Sequence, residues 1–105
     1  MEMDLVKHLE RQQEWSLKTF GTGPRSLGII KHIREELDEL LEDTEELLEW
    51  VDIIILAADG AMREGYSPQQ VADTILMKQD INEKRDWPDH KEFSSDEPIN
   101  HIRGD

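Results

Sequence analysis

Residues 49–60, EWVDIIILAADG, set a condition that any fold of this chain has to meet. Read as a helix, the run shows Trp50, Val51, Ile53, Ile54, Ile55, Leu56, Ala57 and Ala58 on nearly every side, which a helix with one wet face does not need. It has to be enclosed by neighbouring helices, by a second subunit, or by both. Yet the same run carries Glu49, Asp52 and Asp59. A carboxylate in apolar surroundings is costly or takes up a proton, unless it has a partner, a metal or a chemical task.

The chain has 105 residues, the length of one domain, and a domain this short buries only about two-thirds of the surface its unfolded form exposes. A large private core is therefore not expected. With 25 acidic against 12 basic residues, the formal charge of -13 argues against general binding to nucleic acid or to an anionic membrane, where Lys and Arg contacts to phosphate dominate. There is no Cys, which excludes disulfides and thiolate chemistry and fits a reducing compartment. The opening MEMDLVKHLERQQEW lacks the apolar centre of a signal peptide, and the uncharged apolar run 53–58 falls far short of the roughly 20 residues that span a bilayer. The expectation is a soluble cytoplasmic protein.

Periodicity predicts an all-α chain of four helices at about 4–20, 26–42, 44–64 and 68–85. Val6, Leu9, Leu17 and Phe20 share a stripe of the first helix, which GTGP ends; Trp15 points away from it. Ile30, Ile33, Leu37 and Leu41 form the apolar face expected of the second. Asp43, with Glu46 three residues on, is the expected cap of the third, and Gly65 its stop. Ser67, Pro68 and Gln70 supply a cap, a first-turn proline and a capping glutamine for the fourth. Residues 1–89 form the expected domain, and 90–105, with no periodicity, a mobile or partner-docked tail. Trp50, opposite Asp52 on the third helix, is a candidate anchor for an interface between subunits.

At 100 degrees per residue Glu45, Glu49, Asp52 and Asp59 fall within one quadrant of the third helix. Glu36 sits at the shoulder of the second helix's apolar stripe and Glu39 one step further round, whereas Glu35 and Asp38 point more to solvent. If the two helices pack through their short connection, Glu36 and Glu39 face Glu49 and Asp52. Four clustered carboxylates need a counter-ion, and an all-oxygen site suits a hard divalent cation such as Mg²⁺. His32, one turn before Glu36, is expected to pair with it. Lys78, Asn82 and Arg85 form one stripe of the fourth helix suited to phosphate oxygens, or equally to the helix dipole. FGTGPR, residues 20–25, is a Gly-rich turn that ends in a cation, Arg25, but lacks the Lys-Ser/Thr of a P-loop.

The ordered set E-E-x-x-E at Glu35, Glu36 and Glu39, E-x-x-D at Glu49 and Asp52, and K-x-x-x-N-x-x-R at Lys78, Asn82 and Arg85 resembles the all-α nucleoside triphosphate pyrophosphohydrolases of the MazG-like superfamily. The segments TFGTGPRSLGIIKHIREELDEL, EWVDIIILAADGAMREG and KRDWPD resemble, more narrowly, the dATP/dGTP pyrophosphohydrolase branch of phages and prophages. The resemblance covers about residues 15–89. Glu39 and Glu49 stand closer in sequence than is usual in the superfamily, so the connection between their helices must be tight. The resemblance implies a MazG-like four-helix bundle completed by homo-oligomerisation, and Mg²⁺-dependent hydrolysis of a nucleoside triphosphate, a purine such as dATP or dGTP, to monophosphate and pyrophosphate, with Mn²⁺ as a substitute ion. It implies Glu36, Glu39, Glu49 and Asp52 as metal ligands and Glu35 as an outer acid that orients water. Lys78, Asn82 and Arg85 would hold phosphates or sugar, with Arg25, Trp15 and Phe20 as further substrate contacts. From another class, the charge alone would also suit a non-catalytic acidic interaction protein or nucleic-acid mimic; such a protein wants its acids outward, not beside Ile53 and Ile54.

Overall fold

The computed structural model describes residues 2–103 as four α-helices, α1 (Leu5–Phe20), α2 (Ser26–Glu42), α3 (Leu47–Arg63) and α4 (Pro68–Lys84), followed by a 3-10 turn at His90–Glu92. No strand occurs among the described residues. The chain forms two compact units, Met1–Asp73 and Thr74–Asp105, with the division inside α4.

Local chemistry sets each helix end. Asp4 caps α1 by accepting from the Lys7 amide at 3.1 Å. The loop that follows turns on Gly21 and Gly23, at φ 87° and 89°, where a side chain would strain the backbone. The cap expected of α4 is present in both directions: Ser67 Oγ accepts from the Gln70 amide at 3.1 Å, and Gln70 Oε1 from the Ser67 amide at 2.8 Å. The start of α3 departs from expectation. Asp43 does not cap it; Asp43 ends α2, and its carboxylate accepts from the Glu45 amide at 3.2 Å. Glu46 is the residue that caps α3, by accepting from the Leu48 amide at 3.2 Å. The chain has to reverse direction between two long helices here, and the extra turn of residues 43–46 supplies that reversal. Glu45 therefore lies ahead of α3, outside the acidic quadrant assigned to it.

In the first unit α3 is central, and both α2 and α1 pack against it. Leu9, Leu40 and Met62 are the buried hydrophobic side chains among the described residues, joined by polar Gln12, Ser16, Glu36 and Arg63. The apolar face of α2 is largely uncovered within the chain: Ile30, Leu37 and Leu41 are exposed, Leu41 by 80%, while Leu40 is buried. Leu48 and Ile54 of α3 are also exposed. α3 thus meets its neighbours within the chain along only part of its circumference.

In the second unit the chain leaves α4 and folds back. Trp87 Nε1 donates to the Asn82 carbonyl at 2.7 Å, and the Ile102 amide donates to the Asp86 carbonyl at 2.7 Å. The Trp87 and His101 rings meet edge to face, with centroids 5.9 Å apart. Among the described residues no helix is long and apolar enough to cross a membrane.

Candidate active site and metal centre

The short link between α2 and α3 brings acids from both helices together. One carboxylate oxygen each from Glu36, Glu49 and Asp52 lies within 4.8 Å of the others. Glu36 is buried, Glu49 half-buried and Asp52 open to solvent, so the cluster runs from the interior to the surface. Oxygens bound to one Mg²⁺ at about 2.1 Å stand up to about 4.2 Å apart, so a small closure of these side chains fits such an ion.

Two atoms test the fit further. Glu36 Oε2 and Glu49 Oε2 are buried and have no hydrogen-bond partner. A buried carboxylate oxygen without a partner is unfavourable, and a hard cation is the group that satisfies it without another donor. The other oxygen of Glu36 is already held: His32 Nε2 lies 3.3 Å from Oε1. The residues present therefore fit a hard divalent ion.

Titration carries the same signature of crowded negative charge. The Glu49 carboxyl is pushed above the usual range, chiefly because a proton it takes up can be shared with the Glu36 carboxylate, and further by burial and by the charges of Glu36 and Asp52, while the corresponding bond with Glu39 opposes. Glu39 is also pushed up, first by a hydrogen bond shared with Glu49 and then by that group's charge; burial and the charge of Glu35 add to this, and Glu36 opposes it. Glu49 thus feels Glu36, Glu39 and Asp52, and Glu39 feels Glu49, Glu36 and Glu35. Glu35 and Glu39 are exposed, and Glu39 stands outside the tightest group of three.

A cleft of about 190 Å³ opens beside the cluster, lined by Trp15, Phe20, His32, Glu36, Asp52 and Asp59 among others. This is less than the roughly 300 Å³ of sites that enclose a whole drug-sized ligand, and suits one ring system. Trp15 and Phe20 form one wall, edge to face at 5.4 Å. Arg25 lies over Phe20, 5.7 Å from the ring centre, and donates to its carbonyl at 3.4 Å. Lys78, Asn82 and Arg85 belong to the second unit, where Arg85 donates to Asn82 Oδ1 at 3.4 Å.

One acid leaves the group to which spacing assigned it. Asp59 lines the cleft but is bound by buried Arg63, whose Nε lies 3.1 Å and 3.2 Å from its two oxygens. The remaining Arg63 donors reach the carbonyls of Gly21 (2.9 Å), Gly23 (3.0 Å) and Ser16 (3.1 Å), and Ser16 Oγ (2.8 Å). Ser16 Oγ in turn donates to Asp59 Oδ1 at 2.8 Å. Gln12 Nε2 donates to the Ile55 carbonyl at 2.9 Å. This clasp joins α1, the glycine loop and α3. The i, i+4 spacing of Asp59 and Arg63 was the one signal for it in the sequence; nothing there distinguished Ser16 from a surface serine.

With this geometry, the comparisons with known proteins converge. A family model described as dATP/dGTP pyrophosphohydrolase matches residues 8–105. The Eaa protein of Salmonella phage P22 is 38% identical over 91 residues, covering 86% of this chain and 27% of the phage protein. The chain thus spans about a quarter of that relative's length. No solved structure matches. Since the family match runs over nearly the whole sequence, the chain belongs to the dATP/dGTP pyrophosphohydrolase family.

Proposed function

We propose that this chain hydrolyses a purine deoxynucleoside triphosphate, dATP or dGTP, to the monophosphate and pyrophosphate, with Mg²⁺ held by Glu36, Glu39, Glu49 and Asp52 and with Mn²⁺ as a substitute. The observation that carries the reading is the pair of buried, unpartnered oxygens of Glu36 and Glu49 beside an aromatic-walled cleft. A nucleic-acid mimic has no use for an acid placed like Glu36. The family membership supplies the substrate class.

Hydrolysis adds water at the α-phosphorus and breaks the bond to the bridging oxygen, which departs with pyrophosphate. A divalent ion supplies charge neutralisation of the polyphosphate and a more acidic bound water. The chain's own residues do the rest. His32 fixes the Glu36 carboxylate through Oε1, which leaves Oε2 turned inward. Exposed Glu35 orients the attacking water and takes up its proton. Lys78, Asn82 and Arg85 hold the phosphates or sugar, and Arg25 adds a further cation. Trp15 and Phe20 stack on the base. A second copy of the chain covers the exposed apolar side chains of α2 and α3, in a soluble, cytoplasmic setting.

Purified protein with Mg²⁺ is expected to release pyrophosphate from dATP or dGTP faster than from pyrimidine triphosphates. Release of orthophosphate alone, or no turnover in a panel of nucleotides, overturns the reading. Base–aromatic stacking contributes about 1–3 kcal/mol per base, so Trp15→Ala is expected to raise KM roughly tenfold or more with little change in kcat. Steady-state kinetics on dATP check this, and an unchanged KM removes Trp15 from the base site.

A further inference from the structure

The polar groups of the aromatic-walled cleft are unevenly matched: its donors are spent inside the protein, and its acceptors are not. Gln12 lines the cleft and is only 8% exposed. Its Nε2 donates to the Ile55 carbonyl at 2.9 Å, which fixes the amide, since the reverse orientation would set oxygen against oxygen. Oε1 is left as an acceptor that no donor among the described residues reaches. Asp59 lines the same cleft with a second acceptor. Its Oδ1 takes two bonds, from Ser16 Oγ at 2.8 Å and Arg63 Nε at 3.2 Å, whereas Oδ2 takes one, from Arg63 Nε at 3.1 Å, and keeps a lone pair. Arg63 offsets the charge of Asp59, so this oxygen accepts without adding net charge to the cleft.

The two acceptors are neighbours. Gln12 meets α3 at Ile55 and Ser16 meets it at Asp59, one turn further along both helices, and a turn advances about 5.4 Å. The other polar groups of the cleft add no donor aimed at a base there. The Ser16 hydroxyl proton goes to Asp59, and His32 Nε2 faces Glu36. The Trp15 N–H lies in the plane of its ring, so it does not point at a base stacked on the face of that ring. Acceptors without donors discriminate between purines. The Watson–Crick edge of guanine carries two adjacent donors, N1–H and the 2-amino group; adenine has an acceptor at N1 and no 2-amino group. Adenine can satisfy one acceptor, through its 6-amino group, and leaves the other unpaired in a largely enclosed place.

We infer that Gln12 and Asp59 read the base and select guanine over adenine, which makes dGTP the preferred substrate of this chain. The inference rests on the assignment of the cleft to the base made above and narrows it, through a glutamine for which sequence pattern suggested no role.

The test is steady-state hydrolysis of dGTP, deoxyinosine triphosphate and dATP by the full chain with Mg²⁺, together with calorimetric titration by the three corresponding monophosphates. A site built to pair with a substrate N–H rejects the analogue that lacks it. For wild type, kcat/KM is expected to be at least tenfold higher for dGTP than for dATP. Deoxyinosine triphosphate, which keeps N1–H but lacks the 2-amino group, should fall between, and the monophosphates should bind in the same order. Gln12→Met, of similar size but without the amide, should lower the dGTP to dATP ratio at least fivefold. A packing role for Gln12 would slow both substrates alike, and an unchanged ratio in Gln12→Met overturns its part in reading the base. Equal values for the three bases in wild type, or a preference for adenine, overturn the inference whether or not Gln12→Met folds. The paired measurements keep the two claims apart: turnover without base preference removes the selectivity and leaves the hydrolase, whereas ordered binding of the monophosphates without turnover leaves the base site and removes the hydrolase. Neither binding nor turnover removes both.

Discussion

Replacement of Asp52 by Asn is expected to abolish pyrophosphate release while leaving the metal-free chain as stable as before, or more so. Outer-shell partners of a metal already cost 10–100-fold when removed, so loss of Asp52 in its proposed role of direct ligand should cost at least about 100-fold. The stability prediction follows from crowding. The Asp52 charge is one of the causes that push Glu49 up, so its removal relieves repulsion in the absence of metal. Thermal unfolding in EDTA and in Mg²⁺ checks both halves: wild type should gain stability from the ion, and Asp52→Asn should gain little. The pH dependence has a definite sign. Glu39 and Glu49 hold protons more tightly in the folded chain than in the unfolded one. Their contribution is complete below the ordinary carboxylate range and is lost as pH rises through the raised values. Metal-free stability should therefore fall over that rise. Loss of folding together with activity in Asp52→Asn would mark Asp52 as structural.

Arg63→Met is expected to be the most damaging single change to the fold. Removing one member of a buried ion pair costs about 3–5 kcal/mol, because the other charge stays behind without a partner. Arg63 is buried beside Asp59, and its loss also takes a donor from the carbonyls of Gly21 and Gly23 and removes its bonds to Ser16. For a domain of this size, each kcal/mol moves Tm by about 4–8 °C, so a drop of at least about 12 °C is expected. Arg63→Lys keeps the charge but not the five-donor fork, and should fall between. The double variant Asp59→Asn/Arg63→Met should lose less than the two single losses combined, since Asp59→Asn removes the stranded charge. Calorimetric melts of the four proteins decide it, and additive losses would show that the pair is not coupled.

What could be read from the sequence divides along physical lines. The α4 cap was legible because its chemistry is local: Ser67 and Gln70 satisfy each other's amides within one turn. The approach of Glu36, Glu49 and Asp52 was legible because the helices that carry them are consecutive and joined by a short link. The start of α3 was not, since Asp43, Glu45 and Glu46 all offer carboxylates to nearby amides and only the geometry of the reversal selects Glu46. The apolar stripe of α2 was legible from its periodicity, but what covers it was not: Ile30, Leu37 and Leu41 are exposed in the single chain, and helical spacing says nothing of whether a face is covered from within the chain or from outside. The Arg63 clasp was beyond reach, since it joins residues more than 40 positions apart, whose pairing no periodicity encodes.

That separation divides the cleft by order of formation. The clustered acids Glu36, Glu49 and Asp52 come from one continuous hairpin, whose closure costs little chain entropy, so such contacts belong to the early part of folding. The clasp around Arg63 ties the first helix to the far end of the third and closes a long loop, which places it late. Damage to the hairpin should consequently slow folding, whereas damage to the clasp should speed unfolding. One wall of the same cleft is fixed by how quickly the chain finds its shape, and the other by how long it keeps it.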